Sequence, residues 1–123
     1  MAGIRVGHPV SRGEIWRVNL DPHIGSEAAK TRPALIVGRR ALADYAMTTG
    51  GTVTVVPLTT NTKTVHDFQV LIPAGDSGLP SDSKAQAEQI RTISTERLVG
   101  REGGVTAEIS AAVDEVIRVY LGL

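Results

Sequence analysis

Residues 31–37 read Thr-Arg-Pro-Ala-Leu-Ile-Val. The last four form a short continuous apolar run, the signature of a strand covered on both faces. Working outward, Glu14–Leu20 alternates, with Trp16, Val18 and Leu20 facing one way, so it reads as a half-buried strand. Asp21-Pro22 ends it, because proline cannot continue a hydrogen-bonded ladder. Thr52–Leu58 is rich in β-branched residues and gives a further strand. Phe68, Val70 and Ile72 alternate along another. Pro73–Ser83, with two Pro and two Gly, reads as loop. Arg39–Met47 is short but helix-compatible, and Gly50-Gly51 marks a turn.

Ala85–Ile93 reads as one strand of unusual character. Gln86 and Glu88 fall on one face, Gln89 and Arg91 on the other. A strand polar on both faces is poor core material. It borders a site or a subunit interface, or it is a plain edge strand. The last element is helical: Ile109, Val113, Val116 or Ile117, and Tyr120 recur at three- and four-residue spacing. Thr106 suits its N-cap, Glu108 its first turn and Gly122 its stop. Five or six short strands and one terminal helix make a mainly β domain. A small barrel with the helix packed on it is the expected closure.

The length of 123 residues fits one compact domain. Residues 1–11 read as a flexible arm and 12–123 as the domain. With no cysteine, a disulfide framework, a thiolate nucleophile and a Cys-based zinc site are excluded. No apolar run is long enough to span a bilayer, so no membrane association is expected. The net charge is zero, yet residues 1–66 carry eight Lys+Arg against four Asp+Glu, and residues 67–123 five against nine. The basic half can face a polyanion. Aromatic residues are scarce (Trp16, Tyr45, Phe68, Tyr120), so base stacking is not expected to be the main binding device.

For chemistry, several classes drop out. His8, His23 and His66 share no metal-ligand spacing, no carboxylate cluster suggests magnesium, and no phosphate-binding Gly-rich loop is present. No metal or cofactor is therefore expected. Three short segments remain: Gly25-Ser26-Glu27, Arg32-Pro33 and Thr59-Thr60-Asn61. Each also has a structural explanation. Gly-Ser is a turn, an arginine before proline is extended and can simply pair with a carboxylate, and Thr-Thr-Asn ends a strand.

Taken in order, these segments resemble a known family. Arg12-Gly13-Glu14-Ile15-Trp16, Leu20-Asp21-Pro22, Gly25-Ser26-Glu27 and Thr31-Arg32-Pro33-Ala34 are similar to the N-terminal signature of MazF/PemK toxins. Val56-Pro57-Leu58-Thr59-Thr60 resembles that family's strand end, and Glu88-Gln89-Ile90-Arg91-Thr92-Ile93 its polar strand. The likeness runs from about residue 12 to the end. It implies an SH3-like β-barrel with a C-terminal helix, and a cytoplasmic homodimer. It also implies metal-independent cleavage of single-stranded RNA and a cognate MazE-like antitoxin. By the same likeness Arg32, Thr59 and Glu27 are the catalytic residues. Gly25, Ser26, Lys30, Thr60, Asn61, Gln89 and Arg91 are then the RNA-binding ones. A guanidinium grips two phosphoryl oxygens at once but holds its proton too firmly to serve easily as a base. Arg32 is therefore the charge stabiliser, and Glu27 is the better base or else shapes its loop. The rivals are a CcdB-like toxin that shares the barrel but binds DNA gyrase, and a catalytically silent family member.

Overall fold

The computed structural model describes residues 10–22, 24–28, 30–39 and 50–123. The helical reading of Arg39–Met47 lies outside the described residues apart from Arg39, as does most of the N-terminal arm. The arm's end is packed: Val10 is fully buried beside Trp16 and Val18. The packed chain thus begins at least two residues before Arg12, because an apolar side chain there joins the core.

The described residues form seven strands: β1 (Glu14–Asn19), β2 (Thr31–Val37), β3 (Thr52–Thr59), β4 (Gln69–Ile72), β5 (Ser83–Gln86), β6 (Arg91–Ser94) and β7 (Leu98–Gly104). A one-turn helix α1 (Ala74–Ser77), the helix α2 (Ala107–Leu121), and 3-10 turns at Ala87–Gln89 and Thr95–Arg97 complete them. The antiparallel order is β4-β5-β3-β2-β1-β7, with β6 also on β3. That path is open at β4 and β7, so the sheet is barrel-like only in the loose sense. The mainly β domain with a C-terminal helix is as expected.

The alternation of β1, β2 and β3 builds two cores, one on each face of the sheet. Trp16, Val18, Ala34, Ile36, Val53 and Val55 form one, with Ile93 and Leu98. Ile15, Leu35, Val37, Val56 and Leu58 form the other, against Val113 and the partly buried Ile109 and Ile117 of α2. The run Ala34–Val37 thus feeds both cores in turn, which is why it carries no polar residue. The terminal helix starts and stops as its sequence signals. Thr106 Oγ1 accepts from the Ile109 amide at 3.2 Å, and Gly122 ends it in the left-handed region at φ 72°.

Two readings need correction. Ala85–Ile93 is not one strand. Leu58 pairs with Ala85 and Val55 with Arg91, so three steps along β3 face six along the stretch from Ala85 to Arg91. The extra residues leave the ladder as the turn Ala87–Gln89, closed by the Ile90 amide donating to the Ala87 carbonyl at 3.1 Å. Pro73–Ser83 is not all loop either. It holds α1, and Ser83 already opens β5. Gly103 of β7 lets α1 approach closely, since a Cβ there would lie 1.9 Å from the Ser77 carbonyl oxygen.

Candidate functional site

Arg32 is the second residue of β2, paired with Val18 of β1. The β2–β3 ladder runs from Val37 opposite Thr54 to Ala34 opposite Pro57. Continued two residues past that last pair, the same register brings Arg32 level with Thr59. Directly opposed residues place their Cβ atoms about 4.5–5.5 Å apart on one face. That face is the one lined by Val18, Ala34 and Val55, so the pair stands where an apolar core gives way to polar groups. Thr59 Oγ1 accepts from the Asn61 amide at 3.2 Å. With a lone pair so engaged, the hydroxyl is set to donate its own proton outward. Thr60 and Asn61 are exposed immediately beyond.

The loop between β1 and β2 is built by its own side chains. Asp21 Oδ1 accepts from the Lys30 amide at 2.8 Å, and the Leu20 amide donates to the Lys30 carbonyl at 2.9 Å. These bonds hold Lys30 in the left-handed region at φ 65°, an uncommon place for a side chain with a Cβ. Gly25 sits there too, at φ 58°, where glycine is at ease. Glu27 Oε1 accepts from the Ile24 amide at 2.6 Å, so this carboxylate does shape its loop.

The loop is tethered from across the molecule. Gln89 Oε1 accepts from the Ala28 amide at 2.8 Å, and Gln89 Nε2 donates to the Ser26 carbonyl at 3.3 Å. Arg91 donates to the Leu20 carbonyl at 3.5 Å, and Arg97 to the Asn19 and Asp21 carbonyls. Ser26, Glu27, Gln89 and Arg91, singled out in the sequence, thereby share one open cleft of about 310 Å³ with Glu88 and Ile90. Arg32 and Thr59 do not line that cleft; they come level with one another by continuation of the β2–β3 register. Gln89 and Arg91 act here as tethers of the loop, a duty that their polarity alone did not reveal.

Sequence reasoning missed a second polar group. Gln69, nearly fully buried, donates from Nε2 to Glu88 Oε2 at 2.8 Å and accepts from the His66 amide at 3.0 Å. Lys84, opposite Thr59 on β5, is only 8% exposed and donates to the Thr64 carbonyl at 2.5 Å. Arg97 was missed as well. Its single signal was a basic residue shortly after the polar strand. Among the described residues no three His, Asp or Glu side chains gather as a metal site, and no helix is long and apolar enough to cross a membrane.

Residues 11–121 match the model of a family described as PemK-like, MazF-like toxin of type II toxin-antitoxin system. The chain is 50% identical over 113 residues to the endoribonuclease MazF9 of Mycobacterium tuberculosis, covering 91% of this chain and 96% of that one. It superposes on the crystal structure of MazF from Deinococcus radiodurans with a TM-score of 0.78 at 25% identity, covering 94% and 99% of the two chains. It also matches the fold of an endoribonuclease solved with its cognate antitoxin from a mycobacterial species, at TM-score 0.71 and 24% identity over 93% and 96%.

Proposed function

The chain belongs to the family of PemK-like, MazF-like toxins of type II toxin-antitoxin systems, and on that premise we propose that it is an endoribonuclease whose phosphate grip is the Arg32–Thr59 pair. What supports this reading is the β2–β3 register, which runs to Ala34 opposite Pro57 and, continued by two residues, brings Arg32 level with Thr59 at the end of two core strands. The substrate is single-stranded RNA. Its 2′-hydroxyl attacks the adjacent phosphorus, the new O2′–P bond forms, and the P–O5′ bond breaks. The products are a 2′,3′-cyclic phosphate and a 5′-hydroxyl, with one proton leaving O2′ and one arriving at O5′. The RNA supplies its own nucleophile, so the protein's task is charge and aim.

Negative charge collects on the non-bridging oxygens in the transition state. Arg32 pairs with them bidentately and Thr59 donates its hydroxyl to one. Glu27 accepts the 2′-hydroxyl proton through the carboxylate oxygen not engaged by Ile24. Gly25, Ser26 and Lys30 hold the backbone of the RNA along the loop, with Thr60, Asn61 and Arg91 on the other side. The exposed positions of Gly25, Ser26, Lys30, Thr60 and Asn61 suit them to that contact. The protein works in the cytoplasm as a homodimer and is silenced by a cognate antitoxin. Relatives named endoribonucleases do not favour a gyrase-binding alternative.

The test uses purified protein, a long single-stranded RNA and EDTA, with 5′ ends mapped by sequencing. Cuts recur at one short sequence and leave 5′-hydroxyl ends. An Arg32→Ala protein that cuts as well as the parent removes the mechanism, and gyrase capture without cutting restores the gyrase-binding alternative.

A further inference from the structure

We propose that Lys84 is a positioning residue of the phosphate grip: it pins the segment that follows Thr59 and brings a second positive charge to the face where Arg32 and Thr59 stand. This rests on the Arg32–Thr59 reading above. Three observations carry it.

Lys84 pairs with Thr59 across the β3–β5 ladder, and continuing the β2–β3 register two residues past Ala34–Pro57 brings Arg32 level with Thr59 on its other side, a row over three adjacent strands. At an interstrand spacing of about 4.8 Å the whole row spans roughly 10 Å. Next, Lys84 is nine-tenths buried, and lysine is almost never so covered without a charged partner. Among the described residues it forms no ion pair. Its ammonium donates to the neutral Thr64 carbonyl instead. A phosphodiester held by Arg32 and Thr59 supplies an anion to this charge, and a buried ammonium is only weakly screened by solvent. Finally, the Thr64 bond ties the outgoing segment, residues 60–64, back onto β5, and that segment includes the Asn61 amide that orients the Thr59 hydroxyl.

The experiment compares Lys84→Met, Lys84→Gln and Lys84→Arg with Arg32→Ala in cleavage assays. Binding is measured over a range of salt with a 2′-O-methyl RNA, which lacks the nucleophile. Removing the charge slows cleavage roughly ten- to hundredfold. It also makes the dependence of log affinity on log salt shallower by about 0.7, the change for one phosphate charge lost on a single strand. Lys84→Arg recovers most of both. Arg118→Met, which removes an equal charge from α2, leaves the salt slope unchanged.

A Lys84 role confined to folding predicts slower cutting with an unchanged salt slope and no rescue by arginine, and that pattern overturns the proposal. So do Gln and Met variants that behave as the parent while Arg32→Ala is inactive; the active-site reading then survives alone. An active Arg32→Ala removes both. If Lys84→Met does not fold, Lys84→Gln decides, because it keeps a donor for Thr64 without the charge.

Discussion

The two ends of β3 carry threonines with opposite fates. Near its start, the Thr54 hydroxyl meets the Thr92 hydroxyl of β6 at 2.9 Å. Each satisfies the other, and β2 and β6 flank the residue on both edges. At its end, among the described residues the Thr59 hydroxyl accepts a backbone amide from Asn61 alone, with Lys84 paired on one side and Arg32 brought level on the other by continuing the β2–β3 register. One strand therefore holds the same side chain in a closed pair and in an open setting between cations. A hydroxyl becomes chemically useful through what its neighbours leave undone.

The comparison breaks most readily at Arg32. Replacing it by alanine removes a preorganised donor at the charged oxygens and lowers the cleavage rate on the order of 10²–10³-fold in single-turnover assays. Arg32→Lys recovers little, since an ammonium cannot grip two oxygens in a plane. Thr59→Val, nearly isosteric, slows cleavage roughly tenfold or more while leaving thermal unfolding close to the parent's. A fast Thr59→Val protein would erase the contrast between the two ends.

Smaller effects sharpen it. Gln89→Leu cuts the tether to Ser26 and Ala28. It raises the RNA concentration needed for half-maximal rate by about tenfold, with a smaller change in the maximal rate. Thr54→Val leaves cleavage unchanged and lowers stability by about 1 kcal/mol or less, read as a shift in the denaturant midpoint.

How much of this was legible follows from the range of the forces involved. Ala34–Val37 and the caps Thr106 and Gly122 are local matters, decided by a residue and its near neighbours. The break at Ala87–Gln89 is not local. Alternation continues through it, and only the pairing of β3 with both β5 and β6 shows that extra residues must leave the ladder. Lys84 is hidden for a similar reason. A lysine in a polar stretch reads as exposed, and its burial is decided by Thr64 and the packing of β4 on β5. The candidate site was legible as motifs because of family resemblance. That Arg32 and Thr59 come level follows from continuing the β2–β3 register, which no single segment encodes. The tethering duty of Gln89 joins residues over sixty positions apart and could not be read from either segment.

That tether bears on how such a protein diversifies. Arg32 and Thr59 are fixed by core strands, whereas the 24–28 loop is held by its own Glu27 and by Gln89 on a separate turn. Changes at position 89, or in the loop away from Glu27, can therefore be explored by selection, or by a protein engineer, while the Arg32–Thr59 phosphate grip stays in place. Choice of target and grip on the phosphate can then be inherited as two largely separate traits.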